Sequence, residues 1–336
     1  VSGIGLVAVA ASLLLLTQSQ VAVAAASEGA SCPSVSDTAE LTVAEVPEGT
    51  SATGCGLVGQ VVRVDGVGVV IPRPGVGVAV SAVTVDGSAP ELTVEVSESG
   101  VISYGSEHAE DASTTEEPPA GEQPPATDES STEAAAAALG QCEDYSYDTK
   151  SYVEWGTYNW YVGDGGMPGA LTKSEAATAF ADAINNITGS YNTCGLDDEV
   201  GASASYKGTH TYESDVDSNG NCTDYDDVST WDAGNLDTGT LAITCAWYWP
   251  VTFDLFEADV RYNTNDYDFT NNVTSSCSDK YDLRGVGTHE AGHVFGLDHV
   301  EGSSHSNLTM YPKLGECTEK WRTLGYGDVR GLRSLY

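Results

Sequence analysis

Thr288-His289-Glu290-Ala291-Gly292-His293-Val294-Phe295-Gly296-Leu297-Asp298-His299 is the stretch on which the reading of this chain turns. Placed on a helix, His289 and His293 stand one turn apart and project from the same face, so both imidazoles can reach one ion at about 2.0–2.1 Å. Gly296 can adopt a positive φ, which ends the helix and bends the chain, and His299 then returns as a third nitrogen ligand. Three neutral imidazoles with a fourth position open describe a catalytic zinc rather than a structural one. Glu290, next to the first ligand, is placed as the general base that takes a proton from water activated at such an ion. An H-E-x-x-H string alone arises by chance on ordinary surface helices. The longer H-E-x-x-H-x-x-G-x-x-H string fixes five positions, and its three histidines are half of the six in the chain.

Downstream lies Leu308-Thr309-Met310-Tyr311-Pro312, where Met310 is one of two methionines. With the zinc string, this segment resembles the metzincin clan of zinc endopeptidases and, within it, the matrixins. The likeness continues through Gly327-Asp328-Val329-Arg330-Gly331-Leu332-Arg333-Ser334-Leu335-Tyr336. Upstream it takes in Gly239-Thr240-Leu241-Ala242 and Glu257-Ala258-Asp259-Val260, so that it covers residues 150–336. The resemblance implies an α/β (α+β) catalytic domain with a twisted five-stranded mixed sheet, two long helices and a small C-terminal subdomain. It implies Met310 as an apolar floor beneath the zinc ligands and Tyr311 in the wall of the substrate pocket. A protein or peptide substrate would lie extended along the edge strand at Leu241 and Ala242, a β-augmentation mode. Two family features are missing. Only His210 is available for the second, structural zinc of many matrixins, so that zinc is not expected. Cys55-Gly56 lacks the flanking Arg and Pro of a cysteine switch, which leaves the N-terminal part readable either as an inhibitory propeptide or as a binding domain.

Working outward, residues 1–24 read as a secretory signal peptide. An uncharged apolar run from Ile4 to Leu16 is too short to span a bilayer and precedes the A-x-A-like Ala22-Val23-Ala24. Export puts the eight cysteines in an oxidising space, where an even count favours disulfides, and Cys32 with Cys55 is the economical pair ahead of the linker. Residues 25–105 form a small all-β module, with period-2 alternation at Val76, Val78, Val80 and at Leu92, Val94, Val96 and Asp-Gly turns at Asp65 and Asp86. Residues 106–140 are acidic and rich in Pro, Ser, Thr and Ala, which reads as a disordered linker. Residues 141–336 are the catalytic part. There the sequence predicts strands at Tyr158–Val162, Ala202–Tyr206, Thr240–Trp247 and Leu255–Tyr262. Thr172 and Glu175 form a capping box before a helix with Phe180, Ile184 and Ile187 on one face, and Asp328 caps a closing helix.

The 336 residues carry 50 acidic against 13 basic side chains, a formal net charge of −37. A polyanion of that strength is repelled by phosphate backbones and anionic lipid surfaces, which excludes nucleic acid and, once the signal is cleaved, membranes as partners. A monomer is expected. Asp215-Val216-Asp217-Ser218-Asn219-Gly220-Asn221, with Asp226 at the twelfth position, has the oxygen spacing of a calcium loop and equally that of a solvated Asn-Gly turn. Asn263, Asn265, Asp266 and Asp268 form a weaker cluster. The expectation is a secreted, extracellular zinc-dependent endopeptidase, with calcium as a second, structural ion. The alternative is a secreted adhesion or carbohydrate-binding protein whose zinc site is vestigial, and the presence of Glu290 speaks against it.

Overall fold

The computed structural model describes residues 32–33, 40–105 and 137–336; the expected signal peptide and nearly all of the expected linker lie outside them. Ten strands carry the architecture. In the Val-rich part they are β1 (Val61–Val64), β2 (Val67–Val70), β3 (Val76–Thr84), β4 (Glu91–Val96) and β5 (Ile102–Tyr104). In residues 137–336 they are β6 (Tyr158–Val162), β7 (Ala204–Thr209), β8 (Ser229–Gly234), β9 (Thr240–Trp249) and β10 (Asp254–Asn263). The helices are α1 (Lys173–Thr188), α2 (Leu283–Val294) and α3 (Tyr326–Leu335).

In place of the expected five-stranded sheet the structure has an eight-stranded one, in the order β5-β4-β3-β9-β10-β8-β6-β7, with strands from both sides of residues 106–136. Strands β10, β8, β6 and β7 run parallel, and β9 is antiparallel to β10. A free β9 would be the edge. Instead β3 pairs antiparallel along almost its whole length, from Thr240 opposite Thr84 to Tyr248 opposite Gly77. The physical reason lies in β3 itself, whose nine residues Val-Gly-Val-Ala-Val-Ser-Ala-Val-Thr carry no charge and are all buried. A strand apolar on both faces needs cover on both faces. Val76, Val78, Val80 and Ala82 point into a core shared with Ile243, Cys245 and Trp247 of β9, whereas Ala79 and Val83 point into the core beneath α1 and α2. A second, four-stranded sheet is also shared, because the short strand Asn221–Cys222 pairs with Gly68 and Val69 of β2.

Strand β8 was not foreseen from the sequence. Its Asp232 and Ser229 break the apolar pattern, yet the strand is central: Trp231 and Ala233 fill the core while buried Asp232 is satisfied by Arg261 of β10 through Nε at 2.9 Å and Nη2 at 2.8 Å. Helix α1 begins as expected, with the Thr172–Glu175 capping box closed in both directions and Phe180, Ile184 and Ile187 buried. Disulfides join Cys32–Cys55, Cys142–Cys194, Cys222–Cys245 and Cys277–Cys317, so all eight cysteines are paired and no bridge crosses between residues 32–105 and 137–336. Among the described residues, no helix is long and apolar enough to cross a membrane.

Candidate active site

Helix α2 starts where Asp282 accepts the Gly285 amide and ends at Val294; Gly296 follows at φ +85°. That positive φ turns the chain into a short strand, Leu297–Asp298, which delivers His299 back toward the helix. The space at the bend admits only glycine, since a Cβ on Gly296 would stand 2.6 Å from the Tyr152 carbonyl oxygen.

The three histidines meet. Nε2 of His289 is 3.0 Å from Nε2 of His299 and 3.2 Å from Nε2 of His293, and the His293–His299 separation is 3.1 Å. Ligand atoms at about 2.0–2.1 Å from a tetrahedral zinc are about 3.3 Å apart, so the triangle fits that ion after a slight expansion. The outer nitrogens set the tautomers. Nδ1 of His289 donates to Thr309 O at 2.8 Å, Nδ1 of His293 donates to Leu297 O at 3.0 Å, and Nδ1 of His299 lies against Oε1 of Glu91. Backbone carbonyls can only accept, so the Nδ1 protons of His289 and His293 are fixed there and their Nε2 lone pairs face inward. Burial, reinforced by the neighbouring imidazoles, lowers His289 to about 3 and His293 well below the usual range. Imidazoles held neutral with converging lone pairs are a donor set for a cation, and their chemistry fits zinc.

Glu290 is completely buried. Its Oε2 accepts a 2.6 Å hydrogen bond from Thr244 Oγ1 on β9, and its Oε1 has no partner. Burial pushes this carboxyl up to about 8, against the smaller pull of the Thr244 hydroxyl. A dication among the adjacent imidazoles would draw it down again. Thr244 was missed in the sequence, although its place was readable: Ala242, Thr244 and Ala246 alternate on one side of β9, and a lone hydroxyl in an alanine row invites a buried acceptor.

Met310 is buried directly under α2, where a Cβ on Gly292 would collide with its sulfur. The closing helix holds this floor in place. Asp328 caps this helix as the sequence suggests, though from the third helical position rather than the N-cap position. Its carboxylate accepts from Gly325 N at 2.7 Å, Thr309 N at 2.8 Å and Met310 N at 3.2 Å. Since Thr309 O is the acceptor for His289, Asp328 reaches that imidazole through one residue. Leu241 and Ala242 are fully buried on β9, with Val83 opposite Ala242, and Tyr311 is half-buried. Two further residues escaped notice because they come from afar: Glu91, and Lys150, whose Nζ bridges Glu91 Oε2 at 2.6 Å and Asp298 Oδ1 at 2.7 Å. Burial alone would raise Glu91, but Lys150 and His299 outweigh it and hold its carboxyl well below the usual range.

The loop read as a calcium candidate is divided. Asp217 closes its own turn, accepting Asn219 N at 2.8 Å and Asn221 N at 3.0 Å, and Asp226 accepts Val228 N. Asp215 instead joins Glu257 and Asp259, with one oxygen of each within 4.8 Å of the others. Glu257 is fully buried; the Asp226 and Asp227 amides face its carboxylate, but neither oxygen reaches full hydrogen-bond geometry with a donor. In the weaker cluster Asn263 donates to Thr240 O at 2.9 Å and to Asp266 Oδ2 at 3.2 Å and accepts from Asn265 N at 3.2 Å, so its polar atoms are spent on closing the turn.

Compared with known proteins, residues 197–336 match the model of the matrixin family of peptidases. No curated protein matches the chain. The matched segment begins after β6 and α1 and contains β9, α2, Glu290, the three converging histidines and Met310. Over residues 197–336, then, the chain is matrixin-like, as the resemblance in its sequence implies.

Proposed function

We propose that the protein is a secreted zinc-dependent endopeptidase, with His289, His293 and His299 as zinc ligands and Glu290 as general base. The observation that carries this reading is the closed triangle of Nε2 atoms with Glu290 one residue from the first of them. The chemistry that a zinc held by these residues supplies is polarisation of the scissile carbonyl and acidification of water. The chain's own part is to hold two imidazole tautomers through Thr309 and Leu297, to orient Glu290 through Thr244, and to receive the proton at the free Oε1. Glu290 then returns that proton to the departing amine. Met310 forms the floor, and Leu241, Ala242 and Tyr311 border the place of an extended peptide substrate. Four disulfides and the apolar N-terminal run support an extracellular location.

A structural cation, calcium by its oxygen ligands, belongs to this reading at Asp215, Glu257 and Asp259 rather than along the Asp217–Asn219 turn. Support comes from the buried, unpartnered carboxylate of Glu257.

The test of the main reading is hydrolysis of labelled casein. Chelation should abolish it and zinc should restore it, while Glu290→Gln should retain zinc and lose roughly 10²- to 10⁴-fold in kcat/KM. Full activity in that variant, or a purified protein that takes up no zinc, removes the reading.

A further inference from the structure

We propose, resting on the peptidase reading above, that β3 occupies the place of an extended substrate along β9, so that the intact chain is its own inhibitor. Three observations carry this. First, β3 is antiparallel to β9 and continuous across Ala242 and Thr244, where Val83 and Ser81 lie opposite. Second, the strand is clamped on its far side by the segment after Met310. Thr84 bridges Lys313 in parallel and Thr84 N reaches Pro312 O at 3.4 Å, while on the β9 side Val85 N donates to Gly239 O at 2.9 Å. The C-terminal end of the strand, at Val83 and Thr84, therefore runs between β9 and the Pro312-Lys313 segment, the two borders of the groove, while Val76–Ser81 pair with β4. Third, the ligands are sealed: His289, Glu290 and His293 are completely buried, and Glu91, opposite Ser81 on β4, touches His299.

The occupant is protected from cleavage by its own pairing. Both edges of β3 are hydrogen-bonded, to β9 on one side and to β4 on the other, so its backbone is held flat in a ladder. Attack on a peptide carbonyl requires that carbon to leave the plane. Ala79, Val83 and the half-buried Val85 face the catalytic core, which assigns extended peptides with small apolar residues at alternate positions as the class the groove accepts. The shared core on the other face of β9 keeps the occupant seated even after the chain is cut between residues 106 and 136. Activation therefore requires displacement or destruction of β3, not merely a cut.

The experiment uses the zinc-loaded full chain, intact, cut within residues 106–136, and as Val83→Asp or Gly77→Leu. Val83→Asp puts a charge on the buried face, and a larger side chain at Gly77 strikes the Tyr248 ring. Labelled casein hydrolysis and amide hydrogen exchange across Thr240–Trp249 are measured together. The expected result is slow exchange and little hydrolysis in the intact chain and, at micromolar concentration, in the cut chain, with both rising at least about tenfold in the two variants at unchanged zinc content. Fast exchange at Thr240–Trp249 in the intact chain overturns the proposal, and this measurement needs no variant to fold. Casein hydrolysis as fast in the intact chain as in the variants also overturns it. Variants that keep zinc and expose the strand yet cut nothing retain the occupant and refute the peptidase reading instead.

Discussion

Glu290 has one hydrogen-bond partner, and that partner is a side chain. Replacing Thr244 with Val leaves a buried carboxyl with none, which costs about 1–3 kcal/mol and lowers Tm by several degrees. The same change lets the base turn, so kcat should fall more than KM rises, and Thr244→Ser should recover most of both. Equal melting and kinetics in Thr244→Val would show that the hydroxyl does not position Glu290. Glu257 makes a second prediction, in pH. Burial, then Asp226 and Asp215, push its carboxyl up to about 8 from 4.5, outweighing the pull of the Asp226 and Asp227 amides. Asp259 is raised as well, and Arg261 is already committed to Asp232 and Glu213. Because the folded state holds this proton more tightly than the unfolded chain, the stabilisation is full below about pH 4.5 and is lost as pH rises through about 8. Calcium-free, zinc-saturated protein should therefore melt lower at pH 8 than at pH 5. Calcium should restore the loss, and Glu257→Gln should remove both effects. A Tm at pH 8 indifferent to calcium would count against the cation site.

At the scale of the element, the bend after α2 matters most. Gly296→Ala forces a strained φ and a clash with the Tyr152 carbonyl, which should destabilise by about 1–3 kcal/mol and displace His299. Zinc affinity should fall with stability, read by competition with a chromogenic chelator; unchanged affinity would show that the bend does not place the third ligand. This part of the molecule was legible in the sequence because it is local. His289, His293, Gly296 and His299 lie within one helix and its turn, where 3.6-residue periodicity and glycine's conformational freedom suffice. The Cys32–Cys55 pair and the Thr172 cap were legible for the same reason. What escaped was non-local. The pairing of Val76–Thr84 with Thr240–Trp249 spans about half of the chain, and no period in either strand names its partner. A trace was present nonetheless, since nine uncharged residues in a row describe a strand covered on both faces rather than the alternating surface of a free-standing module. Strand β8 was lost to its buried Asp232, whose partner Arg261 lies on another strand.

For the molecule as a whole, the net charge of −37 acts on every element at once. The basic residues are largely spent in specific pairs, among them Lys150 with Glu91 and Asp298, Arg261 with Asp232, and Arg322 with Asp282. The remaining carboxylates repel one another across a surface that low salt leaves unscreened, with a Debye length of about 30 Å at 0.01 M and about 3 Å at 1 M. Tm should rise when sodium chloride is raised across that range, and a flat or falling Tm would show that the acidic surface is not under strain. The arrangement of the disulfides has a different consequence. Each of the four bridges closes within residues 32–105 or within residues 137–336. A single nick between them would thus turn one chain into two separately stapled pieces, whose partnership depends on dilution where before it did not. The same nicked sample could pass as one particle at micromolar concentration and as two at nanomolar.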